Sequence, residues 1–483
     1  MMTHIVSNVM TVILVLNFIF AVAVIFLERK DTASTWAWLL VLTFIPIVGF
    51  LLYVFLGRGI SKERIFDLQM QKKLGLKDEI AEQIKEIKEG TFPFPETNSI
   101  DPKELIYMVS IYDDSLFTTN NEVDLFTDGT KKFEQLLKDI ETATHHIHLQ
   151  YYIYRSDQLG KTIRNALIDA AKRGVQVRVL IDAWGSTSLK RNFFKPLEEA
   201  GGEVETFFPI LVPYLSPRLQ YRNHRKIVVI DGKIGYTGGF NVGDEYLGVV
   251  KKFGYWRDNH VRIVGDAVYA LQNRFLMDWN SQHKPKLLFD PAYFPLMVTE
   301  GDRDIQIVTS GPDSTMEQIK LVYLKMINMA KKEILIQTPY YIPDDSIHEA
   351  LKLALLSGVK VRLQIPNKPD HILVYWATYS FAAELLNYGA TVETYEKGFM
   401  HSKTIVIDGE ITSLGSTNFD NRSFRLDFEV NAIFYDIDFS QKVREAFIQD
   451  SQHSQVLTKE IYAERGLLIK IKEGLARLIS PLL

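Results

Sequence analysis

The sequence predicts an α/β protein made of two tandem halves, each a mixed, largely parallel sheet flanked by helices, preceded by two N-terminal transmembrane helices. Three observations predict it. Two long runs near the N-terminus, Ile5 to Leu27 and Thr32 to Gly57, contain no charged residue. The remainder repeats itself, with HRKIVVID from His224 matched by HSKTIVID from His401. Within each copy an apolar strand, a helical stretch and a second strand follow in order, the pattern of strand-helix-strand units.

Taken from the N-terminus, each uncharged run is long enough to cross a hydrocarbon layer of about 30 Å as a helix. A cleaved signal peptide fits less well, because residues 1 to 10 lack Lys and Arg and a second apolar run follows at once. Pro46 and Gly49 leave open a hairpin that dips into one leaflet rather than crossing. Arg58, Lys62, Arg64, Lys72 and Lys73 follow the second run, an excess that places the main domain in the cytoplasm and the protein in the cell membrane as a multi-pass chain. The expected organisation is a two-span anchor over 1–60, a charged helical linker over 61–104, halves over 105–290 and 300–455, and an amphipathic segment over 456–483.

The repeat extends well beyond the two quoted stretches. HIHLQYYIY at His146 matches EILIQTPYYIP at Glu333, RGVQVRVLID at Arg173 matches SGVKVRLQIP at Ser357, and GGEVETFF at Gly201 matches GATVETYE at Gly389. TIRNALIDAAKRG and SIHEALKLALLSG supply the helices between them. A content of 47% hydrophobic residues suits two packed cores. The formal charge of −4 argues against a broadly basic nucleic-acid binder, and the lack of cysteine excludes thiol nucleophiles, disulfides and thiolate metal sites.

The polar positions of the motif recur at identical offsets: His224, Lys226 and Asp231, then Gly238, Gly239 and Asn241; His401, Lys403 and Asp408, then Gly415, Ser416 and Asn418. On a strand, residues two apart share a face, so each His points with its Lys while Arg225 points away. Asp-Gly then signals a tight turn. Imidazole is suited to act as nucleophile or proton carrier near neutral pH, and an ammonium holds a phosphate oxygen. Asn241 and Asn418 are candidate phosphate-binding donors. Two such sets facing each other place an imidazole on either side of one phosphorus atom, which explains why the chain carries two.

Two copies of H-x-K-x4-D followed by G-G/S-x-N resemble the phospholipase D superfamily. The whole chain is similar more specifically to the bacterial cardiolipin synthases, through the paired N-terminal spans, GGFNVGDEYLG at Gly238, YWRD at Tyr255, KPDHILVYWAT at Lys368, EKGFMHSK at Glu396, GSTNFDNRSF at Gly415 and LISPLL at the C-terminus. The resemblance implies phospholipase D-like halves, two phosphatidylglycerol molecules reacting to give cardiolipin and glycerol, membrane lipid as partner, and no metal or nucleotide cofactor. It implies His224 as the nucleophile that forms a phosphatidyl-histidine, and His401 as the acid and then the base. Gln150 and Asp427 depart from the pattern, which commonly has Glu and Asn there.

The catalytic motif set is thus His224, Lys226, Asp231, His401, Lys403 and Asp408. The two aspartates, seven residues after their histidines at a turn, are expected to be mainly structural. WRDNHV and DFEVNA are the next strands after the motifs, and the expectation is that Asp258 orients His224 and Glu429 orients His401. Tyr255, Trp256, Asp370 and His371 are candidate cleft residues. His146 and His148 share a strand face and suit a metal, although packing explains them better. Gly466 to Leu483 has helical apolar spacing and fits either an anionic membrane surface or the catalytic domain. The rivals to a synthase are a membrane-tethered phospholipase D-type phosphodiesterase that hydrolyses phospholipid, a nuclease, and a non-catalytic lipid-binding protein.

Overall fold

The computed structural model describes residues 11–12, 15, 18–19, 22, 32–45, 49, 76–209, 220–297, 299–314 and 316–480. The chain forms two compact units, one of Met1–Ser61 with Ile210–Tyr221, the other of Lys62–Pro209 with Arg222–Leu483. In the first unit, helix α1 (Thr32–Phe44) exposes Trp36, Leu40 and Phe44. Its 13 residues reach about 20 Å, and among the described residues no helix is long and apolar enough to cross a membrane. Most of the first expected span, the second from residue 50 onward, and the basic cluster Arg58 to Lys73 lie outside the described residues.

The second unit carries two sheets with the same strand order. In the first half, β1 (Asn121–Phe126), β2 (His146–Tyr151), β3 (Gln176–Asp182), β4 (Glu203–Phe207), β5 (Arg222–Asn223), β6 (Ile227–Ile230), β7 (Ile234–Gly238), β8 (Tyr255–Arg257) and β9 (His260–Gly265) give the sheet β1-β9-β7-β6-β2-β3-β4. In the second, β10 (Ile305–Ser310), β11 (Glu333–Gln337), β12 (Tyr341–Ile342), β13 (Lys360–Pro366), β14 (Thr391–Tyr395), β15 (Gly398–Met400), β16 (Thr404–Ile407), β17 (Ile411–Gly415), β18 (Phe419–Asp420), β19 (Asp427–Phe434) and β20 (Ser454–Leu457) give β10-β19-β17-β16-β11-β13-β14-β20.

The sheets are mixed but not largely parallel, which corrects the expectation. Within each half's main sheet the parallel ladders are β2-β3-β4 and β11-β13-β14, where helices such as α2 (Gln158–Lys172) and α3 (Asp345–Leu356) make the crossovers. Each motif strand instead returns through a tight turn, β6 to β7 and β16 to β17, and the ladder continues antiparallel to β9 and β19. Those turns need a left-handed residue, supplied by Asp231 and Asp408, both at φ 53°.

Two short pairings join the halves. The dipeptide β5 runs parallel to the start of β19, with Asp427 opposite Arg222 and Phe428 opposite Asn223. Strand β8 runs parallel to β15, with Trp256 opposite Phe399. The second approach is so close that a Cβ on Gly398 would lie 1.8 Å from the Tyr255 carbonyl oxygen, so only glycine fits. Segment 97–100 is also tied down: the Glu410 carboxylate accepts the backbone N–H groups of Asn98, Ser99 and Ile100.

Candidate active site

The two inter-half pairings decide the site. Each leads directly into a motif histidine on one chain segment and into a buried carboxylate on the other. The backbone N–H of His224 donates to Phe428 O at 2.9 Å, one residue before Glu429; that of His401 donates to Arg257 O at 2.7 Å, one residue before Asp258. As a result His224 Nδ1 meets Glu429 at 2.9 and 3.1 Å, and His401 Nδ1 meets Asp258 Oδ2 at 2.5 Å. Asp258 and Glu429 are therefore the histidine partners, but exchanged relative to the expectation that each carboxylate serves the histidine of its own half. The exchange follows from β5 and β8 crossing to the opposite half.

The His and Lys positions stand in the extended lead-in just before β6 and β16, not within the strands. Lys226 Nζ donates to the His224 carbonyl at 2.5 Å, and Lys403 Nζ donates to the His401 carbonyl and lies 2.9 Å from His401 Nδ1. The residue between each His and Lys fastens the same junction. Arg225, 1% exposed, donates through Nε to Glu429 O at 3.0 Å and through Nη1 to Asp278 at 2.9 Å. Ser402 Oγ accepts from Asn259 Nδ2 at 2.8 Å.

His224, Asn241, His401 and Asn418 open into one cleft of about 470 Å³, with Trp256, Asp370, His371 and Asp427 also in its wall. Tyr255 faces another surface depression, and its hydroxyl donates to Thr127 O. Tyr152 meets the His224 ring edge-on at 4.9 Å, and Trp256 lies 5.0 Å from the His401 ring. Asn241 Oδ1 accepts the Ile153 N–H at 3.1 Å, which fixes its amide. Asn418 donates to Ser423 Oγ at 3.3 Å, and its Oδ1 has no hydrogen-bond partner among the described residues, so a half-turn of the amide would offer N–H groups there.

Burial sets the electrostatics. It lowers His224 well below the usual imidazole range, with Lys226 and Lys403 adding to the effect, and lowers His401 to about 4 despite Asp258. It also lowers Lys226 to about 7 and Lys403 to about 8, and raises Glu429 to about 7 against the pull of Lys226. Asp427 is raised by burial to about 8 although Arg422 lies 3.3 Å away. Two ammonium groups crowded against two imidazoles favour an entering anion, which would offset their mutual repulsion and restore their protons.

The Asp231 and Asp408 carboxylates hold backbone, as their offset from the histidines led one to expect. Asp231 accepts the backbone N–H groups of Thr144, His145 and His146, and Asp408 those of Lys331, Lys332 and Glu333, each clamping a β-turn onto the start of β2 or β11. His146 and His148 are buried on Gln272, with the His148 ring stacked on Phe275 at 4.5 Å, and among the described residues no cluster suits a metal. Gln150 is buried and donates to Asn223 and Asp278. Sequence reasoning did not single out Tyr152, Trp184, Tyr340 or Arg422 as cleft residues. The YYI shared by both repeats was the available signal for the two tyrosines. Ser416, which donates to Glu429, sits where the first repeat has Gly239.

Two tandem sheets joined through crossed His-carboxylate pairs define a phospholipase D-type protein. The cardiolipin synthase, phospholipase D-like domain family matches residues 136–279 and 323–451, one match on each half, and the phospholipase D-nuclease N-terminal family matches residues 15–58. The chain is 52% identical to a cardiolipin synthase of Listeria welshimeri and 52% identical to the major cardiolipin synthase of Bacillus subtilis, each over 99% of both chains. The phosphatidylserine synthase structure from Haemophilus influenzae shares the fold, with a TM-score of 0.60 and 16% identity over 78% of this chain and 98% of that one. The chain belongs to the bacterial cardiolipin synthase family of the phospholipase D superfamily.

Proposed function

We propose that this protein is a phosphatidyltransferase that converts two phosphatidylglycerol molecules into cardiolipin and glycerol. The observation that carries the reading is the pair of histidines in one cleft, each backed by a buried carboxylate from the opposite half. The family membership and the full-length similarity to proteins named cardiolipin synthase support the substrate.

His224 Nε2 attacks phosphorus while its Nδ1–H is held by Glu429. The bond from phosphorus to the glycerol oxygen breaks, and His401 Nε2–H protonates that oxygen, so free glycerol leaves. The hydroxyl of a second phosphatidylglycerol then gives its proton to His401 and attacks phosphorus, breaking the phosphorus–His224 bond. The chemistry is thus a double displacement needing a nucleophile and a proton carrier on opposite sides. Lys226, Lys403, Asn241 and Asn418 hold the phosphoryl oxygens, and Asp258 and Glu429 fix the imidazole tautomers. Residues 1–60 anchor the chain by two spans, with the catalytic halves in the cytoplasm.

The full-length protein and a His224→Ala variant, mixed with phosphatidylglycerol vesicles, test the reading through lipid and glycerol mass spectrometry. Cardiolipin and glycerol should appear in equal amounts with the intact protein alone. Phosphatidate in place of cardiolipin would make the protein a hydrolase and overturn the proposal.

A further inference from the structure

The C-terminal helix α4 (Leu467–Leu478) carries an apolar face that nothing among the described residues of the second unit covers. Leu467, Leu468, Ile471, Leu475 and Leu478 are between 49% and 76% exposed. At about 100° per residue these five fall within one arc of about 100°. Lys470 and Lys472, both exposed, flank that arc on its two sides. The helix's one acidic residue, Glu473, is turned inward, where it accepts from Arg465 Nε at 2.7 Å and from the Tyr462 hydroxyl at 2.9 Å. An apolar stripe edged by cations, with no exposed acid, is the pattern of a helix lying in the interface of an anionic bilayer.

The opposite face is fixed to the catalytic fold. Ala476 is fully buried in the second core, Arg477 pairs with Glu384 and lies 4.3 Å over Phe381, and Lys472 lies 5.5 Å from the Trp376 ring. Those three partners belong to the helix Ile372–Leu385, which begins at the active-site cleft: Asp370, His371 and Val374 are in the cleft wall. At its start Ile372 and Leu373 are 66% and 50% exposed, and Ile372 is one helical turn before Trp376, on the side that meets α4.

We propose that α4, together with Ile372 and Leu373, is an interfacial membrane-docking face whose occupant is the anionic lipid surface. By its attachment to the helix that borders the cleft, this face holds the two histidines at a set height over the lipid headgroups. The inference rests in part on the proposed function, because a lipid substrate gives the docking its purpose, but its test is independent of turnover.

The chain has no cysteine, so Leu468→Cys, Leu475→Cys and a control Lys161→Cys can each carry one nitroxide on the full-length protein in bilayers of phosphatidylcholine with and without phosphatidylglycerol. At 468 and 475 the label should become accessible to oxygen and shielded from an aqueous nickel complex, more so with phosphatidylglycerol, while 161 stays water-accessible. Labels at 468 and 475 as exposed to nickel as 161 in both bilayers would overturn the proposal. So would shielding that appears only with spin–spin broadening that grows with protein density, which would assign the face to a second copy. In the Leu468→Glu, Leu475→Glu double variant, cardiolipin formation on bilayers should fall about 10-fold while turnover of a water-soluble short-chain phosphatidylglycerol is kept; equal loss on both substrates would count against docking. Absence of turnover in the unmodified protein would remove the proposed function and leave the label depths to decide this inference.

Discussion

Replacing Glu429 by Gln should separate the two histidines by role. Glu429 is fully buried, and His224 Nδ1 reaches its carboxylate at 2.9 and 3.1 Å, so the imidazole carries its proton on Nδ1 and presents a bare Nε2 to phosphorus. A glutamine amide can donate to Nδ1 instead, which moves the proton to Nε2 and removes the attacking lone pair. The same carboxylate-to-amide change in a serine-protease triad costs about 10⁴ in turnover, so a loss of about 10³–10⁴-fold, or about 4–5.5 kcal/mol of barrier, is expected here. Asp258→Asn should cost as much with phosphatidylglycerol, since it disables the histidine that protonates glycerol. The distinction lies in the leaving group. In the first-turnover burst of phenolate from a p-nitrophenyl phosphodiester, whose phenolate departs without a proton, Asp258→Asn should recover to within about 10-fold of the unmodified protein and Glu429→Gln should not. Recovery of Glu429→Gln but not of Asp258→Asn would refute the roles assigned to His224 and His401.

The remaining predictions concern protons, packing and turns. The kcat/KM for phosphatidylglycerol should fall on the alkaline side as Lys226 and Lys403, at about 7 and about 8 in the free protein, lose their protons; kcat should hold to higher pH, because the bound phosphodiester retains them, and coincident limbs would argue against phosphate contact. Asp427 at about 8 lies above its ordinary 3.8, so the folded chain keeps a proton the unfolded chain has lost and its contribution falls as pH rises between those values. Asp427→Asn should therefore raise the apparent Tm by an amount that grows with pH over that window, reaching about 1–3 kcal/mol of stability near its top; a pH-independent effect would contradict this. Asp231→Ala should destabilise by about 1–3 kcal/mol through the three backbone N–H groups it leaves unpaired, yet leave kcat of the folded protein within about threefold. Gly239→Ser should abolish activity in lipid assays, since a Cβ there would lie 2.0 Å from Asp258 Oδ1, whereas Ser416→Gly, which removes one donor to Glu429, should cost only about 3- to 30-fold.

Much of this was legible in the residues because the duplication could be read against itself. Matching offsets around His224 and His401 located the motif sets, and the next strand after each motif located Asp258 and Glu429. Which carboxylate serves which histidine was not legible: it depends on β5 and β8, two- and three-residue strands too short to show any periodicity, that pair across the halves rather than within them. The parallel share of the sheets was overestimated because the strand-helix-strand units are conspicuous, while the hairpins behind the motifs that reverse the ladder are marked only by Asp-Gly. The structural use of Asp231 and Asp408 could be suspected from their offset, but their backbone clamps on β2 and β11 join positions far apart in sequence. Amphipathicity identified the C-terminal helix, yet only Ala476 and Glu473 in their packed surroundings distinguish its bound face from its free one.

The most direct test of the account is to quench the full-length protein in alkaline denaturant during turnover of phosphatidylglycerol and map the modified residue by peptide mass spectrometry at alkaline pH, where the phosphorus–histidine bond survives. The account predicts that, with isotope-labelled phosphatidylglycerol, a labelled phosphatidyl group appears on His224 and is replaced by an unlabelled one when excess unlabelled phosphatidylglycerol is added, the label passing into cardiolipin. The group on His401, or turnover with neither histidine modified, would contradict it.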